Sequence, residues 1–117
     1  MNSNQLVGKY GEDLAVDFLL RLGYEIIERN WRGKTGEIDI VARDRNCMVF
    51  VEVKTRTRTG FGHPFEAITA KKIQTMRSLV SQWCHNRNLD SNEVRLDALS
   101  VLILRGRVTI EHLKQVF

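Results

Sequence analysis

Residues 37–56 read EIDIVARDRNCMVFVEVKTR, and the fold turns on how this stretch is interpreted. Its second half alternates: Val49, Val51 and Val53 share one face of a strand, and Phe50, Glu52 and Lys54 share the other. The first half, Glu37 to Ala42, reads as a partner strand, with Ile38 and Ile40 expected on one face and Glu37, Asp39 and Val41 on the opposite one. Asp44 to Asn46 supplies turn residues between the two halves, so together they predict a β-hairpin. The hairpin places an acid, Asp39, near a second acid, Glu52, with a base, Lys54, two residues further on.

On the N-terminal side of the hairpin, Asn2 to Asn4 offer cap side chains for a helix in which Val7, Tyr10, Leu14, Phe18 and Leu22 recur at helical spacing and which stops at Gly23. Tyr24 to Trp31 predicts a strand, and Gly33 to Gly36 a turn. Beyond the hairpin, residues 55–64 hold Gly60, Gly62 and the only proline, Pro64, and predict a loop. Thr69 can cap a second helix whose apolar positions are Ile73, Met76, Leu79, Val80 and Trp83. Val94 to Leu104 predicts a long strand, turned by Arg105-Gly106-Arg107 into a short one near Val108 to His112. The order αβββαββ implies an α/β (α+β) fold, a mixed sheet flanked by helices. A chain of 117 residues suits a single domain, 1–117, around one core.

Hydrophobic residues make up 43% and charged residues 27%, a globular composition. No apolar run approaches the roughly 20 residues of a membrane helix, and MNSNQLVGKYGEDL has no signal-peptide pattern. A soluble, cytoplasmic protein without a membrane partner is expected. Cys47 and Cys84 form no CxxC and are expected to be two buried thiols in a reducing compartment. The net charge is +4, unevenly spread: Lys54, Arg56, Arg58, Lys71, Lys72 and Arg77 face only Glu66 between residues 54 and 77, a local +5 that leaves −1 for the remainder. Such an excess suits a polyanion, nucleic acid above all, where the plain alternative is a solvated basic surface.

Two carboxylates a few Å apart repel, and burying either is costly unless something neutralises it. A divalent cation answers both problems, and Mg²⁺ or Mn²⁺ takes carboxylate and phosphate oxygens readily. Asp39 and Glu52 are therefore candidate metal ligands. Lys54, beside them, is the candidate to hold an attacking water or stabilise charge on a phosphate. The pattern D-x(12)-E-x-K fits two short strands and one turn. Glu37 shares Asp39's expected face and could assist. Arg56 and Arg58, alternating with Thr55, Thr57 and Thr59, would extend the Lys54 face as a phosphate-binding strip. Lys71 and Lys72 sit in the first turn of the second helix, where the helix dipole disfavours cations, so an anionic ligand would offset a cost. The structural alternatives are an arginine partner for the acids, a snorkelling Lys54 and a charged surface loop. Asp97 is expected to pair with Arg95 or Arg29 as a structural residue. His63, His85 and His112 show no ligand spacing, and Trp31 and Trp83 are expected in the core.

KYGEDLA at 9–15, GEIDIVARD at 36–44, VEVKTR at 51–56 and VRLDALSV at 94–101 resemble, in order and spacing, the YraN family of small bacterial proteins. That family is in turn similar to archaeal Holliday-junction resolvases of the PD-(D/E)XK nuclease superfamily. The resemblance implies a restriction-endonuclease-like core, metal ligation by Asp39 and Glu52, and Lys54 as the catalytic lysine. It also matches Glu12 to the superfamily's extra acid on the first helix. The residues alone leave open a surface pair of Glu12 with Lys9. Ile38 stands where the superfamily has its naming proline. Gln74 is followed by Ser78 rather than a tyrosine four positions on, which disfavours an exonuclease. The expectation is a Mg²⁺- or Mn²⁺-dependent DNA endonuclease, with branched DNA among its candidate substrates and DNA preferred to RNA. Two alternatives stand: a non-cleaving nucleic-acid-binding module on the same fold, and an assembly protein whose apolar run 98–104 (ALSVLIL) forms a homodimer contact.

Overall fold

A computed structural model describes residues 2–60, 62–89 and 93–116. Its elements follow the expected order: α1 (Ser3–Arg21), β1 (Glu25–Arg32), β2 (Glu37–Asp44), β3 (Cys47–Arg56), a 3₁₀ turn (Pro64–Ala67), α2 (Ala70–Asn86), β4 (Val94–Leu104) and β5 (Arg107–Leu113). The five strands form one sheet in sequence order, antiparallel except for the parallel pair β3–β4, which α2 connects. Among the described residues no helix is long and apolar enough to cross a membrane.

Local chemistry sets the element ends. Asn2 and Gln5 form a reciprocal capping box on α1, and Thr69 Oγ1 accepts from Lys72 N at the start of α2. Arg105 and Gly106 both take positive φ, the two-residue turn that matches strand twist between β4 and β5. β3 continues through Thr55 and Arg56, where a loop was expected, because Arg56 still pairs with Leu102 of β4. Pro64 opens the 3₁₀ turn rather than closing the loop, and Phe61 of that stretch lies outside the described residues.

Each face of the sheet buries its own core. Ala15 and Leu19 of α1 pack with Ile40, Ala42, Val49, Val51, Leu99 and Val101. Met76, Leu79, Val80, Trp83 and Cys84 of α2 pack with Ile38, Val41, Phe50 and Leu96 on the opposite face. The apolar positions predicted for α2 hold. Those of α1 hold in part: Leu14 and Phe18 pack half-buried against the core, but the buried line is Gly11, Ala15 and Leu19, and Tyr10 and Leu22 are about half exposed. Gly11 explains the shift, since a Cβ there would lie 2.0 Å from Thr55 Oγ1, so the helix backbone itself rests on β3. Of the two thiols, Cys84 is buried and Cys47 only half-buried. The run 98–104 lies within the sheet, with Ala98 to Val101 buried in the core and Leu104 exposed.

Candidate metal and nucleic-acid site

The cleft begins where two strands part. β2 pairs with β1 along its whole length to Arg32↔Glu37, but its pairing with β3 ends at Ile40↔Val51. Val53 N would meet the β2 backbone if the ladder continued; instead it donates to Asp39 Oδ2 at 2.8 Å. Asn30, in the left-handed region at φ 53, falls opposite Asp39 in the β1–β2 register. The ribbon's faces change over at this pair, so Ile38 and Ile40 do not share a face as expected. Ile38 joins the α2 core and Ile40 the α1 core, and Val41 is buried beside Ile38.

The opening is a cleft of about 650 Å³, bounded by the first turns of α1 and lined by Glu12, Asn30, Glu37, Asp39, Lys54 and Thr57, among others. Glu12 is held rigidly. Its Oε1 accepts from Arg29 Nε and Nη2 at 3.2 and 3.1 Å and from Asn30 Nδ2 at 3.0 Å. The pair with Lys9 is not formed; Arg29 takes Glu12 and also Asp13, at 2.6 Å. The hydrogen bond from Arg29 outweighs the other influences on Asp13 and lowers its pKa. Asn30 was not singled out in the sequence, and Arg29 was expected only as an alternative partner of Asp97, whereas it serves Glu12 and Asp13. A left-handed asparagine inside a strand leaves no trace in hydropathy, and Arg29 alternates like any surface residue.

Among the described residues Asp39 has no such cation. Burial first, then the charge of Glu52, push its carboxyl up to about 7 against the Val53 hydrogen bond, with smaller pushes from Glu12 and Glu37. Glu52 is close enough to act on Asp39, yet it opens to the other side of β3. It lines a second cavity, about 190 Å³, with Phe65, Ile68, Lys72, Ala98 and Leu99, and Lys54 lines both spaces. There Glu52 Oε1 lies 3.2 Å from Lys72 Nζ. The predicted set is therefore gathered around Lys54 but divided: Glu12, Glu37 and Asp39 on the α1 side, Glu52 on the α2 side. Among the described residues no group of three or more His, Cys, Asp or Glu stands ready to hold an ion. The donors are hard carboxylates, the ligand type that Mg²⁺ and Mn²⁺ take, and the raised carboxyl of Asp39 is of the kind such an ion would relieve, although Glu52 faces the other cavity.

Of the expected phosphate contacts, Arg56 is half-buried, with an Nε that is buried and lacks a hydrogen-bond partner among the described residues. Arg58 and Lys71 are exposed. Lys72 serves Glu52 instead of standing free for phosphate. Away from the cleft, Asp97 pairs with Arg95, as one of the two expected arginines, at 2.8 Å. It also meets His112 Nε2 at 2.7 Å, a partner that sequence spacing did not suggest because the two residues lie on different strands.

The model of the Uncharacterised protein family UPF0102 matches residues 11–101, and the chain belongs to that family, as its resemblance to the YraN proteins implied. It is 44% identical over 117 residues to a UPF0102 protein of Beutenbergia cavernae, covering 99% of both chains. It is 46% identical over 109 residues to one from Renibacterium salmoninarum, covering 92% of each. Among solved structures, one described as the EndoMS–dsDNA2 complex is 16% identical, with a TM-score of 0.44 over 74% of this chain and 34% of that one. The crystal structure of SSO0001 is 16% identical, with a TM-score of 0.38 over 100% of this chain and 54% of that one.

Proposed function

We propose that this UPF0102 chain is a divalent-metal-dependent DNA endonuclease whose centre is the parting of β2 from β3. One observation carries the reading: a half-buried aspartate, its carboxyl pushed up by burial and by three other carboxylates and held by a backbone N–H alone among the described hydrogen bonds, faces a cleft shared with a lysine. A carboxylate that merely stabilised the sheet would be given an arginine or histidine, as Asp97 is.

Asp39 and Glu52 would hold Mg²⁺ or Mn²⁺, with Glu12, fixed by Arg29 and Asn30, at the flank. A bound ion of this kind supplies a Lewis acid for a phosphoryl oxygen and lowers the pKa of a water. Lys54, lining both cavities, orients the phosphate and the water and stabilises charge as it develops on the phosphate oxygens. Thr55 and Thr57 on the cleft wall, with Arg56 and Arg58 beyond, seat the backbone of the nucleic acid without reading its sequence. The Glu52–Lys72 pair favours a second reading, a binding module that keeps the groove and does not cut.

Incubating the protein with linear, flapped and four-way DNA in Mn²⁺, Mg²⁺ or EDTA decides between them. Cleavage that needs the metal and disappears in Asp39→Asn supports the enzyme. Metal-independent binding with no cleavage of any substrate selects the binding module.

A further inference from the structure

Glu52 leaves β3 toward α2 and meets Lys72 across 3.2 Å, the two side chains retaining 28% and 45% exposure. The lysine's position is well defined: its backbone N–H donates to the Thr69 cap, so the first turn of α2 is fixed beneath the ammonium. It is also an unfavourable position. The first turn of α2 contains Lys71 and Lys72 and no acid, so two cations stand at the positive end of the helix dipole. Glu52 supplies the missing negative charge to one of them. Across β3, Asp39 receives only a backbone N–H among the described residues. One acid of the pair thus has a cation and the other lacks one.

We propose that Lys72 is a positioning residue that acts as a stand-in cation: in the metal-free protein it holds Glu52 on the α2 side, and a divalent ion binding Asp39 and Glu52 displaces it. The inference rests on the assignment of Asp39 and Glu52 as the ligands. The displaced ammonium stays in the cavity it shares with Lys54, Phe65 and Ile68, where a phosphate is the replacement anion. Metal entry and phosphate capture are then two halves of one exchange on Glu52, and Lys72 opposes metal binding until it is moved.

The exchange predicts that losing Lys72 tightens metal binding, the reverse of what loss of a supporting residue does. Calorimetric titration of Mn²⁺ without nucleic acid reads it directly. Lys72→Met and Lys72→Gln should each bind Mn²⁺ roughly three- to tenfold more tightly than wild type, the range expected for freeing a partly exposed ion pair next to a dication. Lys71→Met, which removes the same charge one residue away, should stay within about twofold. In a Glu52→Gln background the gain from Lys72→Met should vanish, because the partner is gone. No tightening in either Lys72 variant, an equal gain from Lys71→Met, or a gain that persists without Glu52 would each overturn the exchange. If Asp39→Asn and Glu52→Gln bind Mn²⁺ like wild type, the ligand assignment falls and the exchange with it. If they weaken binding while the Lys72 variants do not tighten it, the exchange alone is refuted.

Discussion

Asp39 and Asp97 are the same residue type in two strands of one sheet, the first half-buried and the second buried, and their surroundings treat them in opposite ways. Asp97 is fully buried and surrounded by donors: Arg95 Nε at 2.8 Å, His112 Nε2 at 2.7 Å and Gln115 N at 3.0 Å. Burial alone would raise its pKa, but His112, Arg95 and the Gln115 N–H together outweigh burial and hold it below the ordinary range. Arg95 is itself tied to Tyr24 and Asp44, so the cluster links β2, β4, β5 and the α1–β1 connection. Asp39 receives one backbone N–H and lies among acids, and its carboxyl rises to about 7. Desolvation raises the carboxyl at both positions, and only at Asp97 do donors within the chain outweigh it. An acid with a complete set of internal partners is structural, and the incomplete set at Asp39 is what supports the proposed site.

The contrast breaks most visibly at Asp97. Asp97→Ala should cost on the order of 3–5 kcal/mol, because it removes the buried carboxylate that Arg95, His112 and the Gln115 N–H share and leaves Arg95 only Asp44 and Tyr24. Urea unfolding at pH 7 measures this, and a loss below about 1 kcal/mol would mean the cluster is not what holds β5 to the sheet. Next comes the residue that serves the other acid. Lys54→Ala should slow cleavage roughly 10²- to 10³-fold while Mn²⁺ affinity stays within a few-fold, since its proposed role is to act on phosphate and water rather than to hold the ion. Cleavage within a few-fold of wild type would return Lys54 to the surface.

Asp39→Asn should move in two directions at once. Mn²⁺ binding should weaken about tenfold or more. In EDTA at pH 8, however, the variant should be more stable than wild type, by on the order of 1–3 kcal/mol, because a poorly compensated, half-buried charge is gone. The pH dependence has a definite sign. Asp39 folded holds its proton up to about 7, well above its ordinary 3.8, so its contribution to stability is whole below pH 3.8 and is lost as pH rises to about 7. The advantage of the asparagine variant should therefore shrink toward zero near pH 4. Asp97, whose pKa is lowered, has the opposite sign: its stabilisation is present above the ordinary carboxylate range and lost on further acidification. Thermal unfolding from pH 3 to 8 separates the two; a variant no more stable than wild type at pH 8 would show that Asp39 is compensated after all.

The smallest expected effect lies on the basic strip. Replacing both Arg56 and Arg58 with alanine should reduce the slope of log K against log[salt] on duplex DNA by roughly 2 and weaken all sequences alike. Titrations in Ca²⁺ at several salt concentrations test it, and an unchanged slope would route the nucleic acid elsewhere. If the strip is real, saturating DNA should restore most of the cleavage rate, because the metal site is untouched.

Much of this was legible in the amino-acid order. Period-two alternation at Val49–Val53 and period-3.6 spacing at Ile73–Trp83 report burial by an element's own neighbours, so both survived into the structure. The turn at Arg105-Gly106 and the caps at Asn2 and Thr69 are likewise local chemistry. The α1 stripe was misplaced because a glycine has no side chain to announce that it is the contact point, and only the approach of Thr55 reveals it. Asp39, Glu52 and Lys54 stood out as charges inside apolar strands, which is unusual in any sequence.

The elements, their order, the family and the identity of the anomalous charges all follow from the chain read in one dimension, since each depends on residues a few positions apart. Which charge meets which is settled in three. That Glu12 belongs to Arg29 and Asn30, Glu52 to Lys72, and Asp97 to His112 depends on strand register and helix placement, and the partners lie 15 to 20 positions away along the chain. The parting of β2 from β3 at Asp39 is of the same kind: hydropathy follows the face of a strand, but where a ladder stops depends on the backbone of its neighbours. A carboxylate's environment is a property of the fold, which is why the acids could be named from the sequence and their roles told apart only by their surroundings.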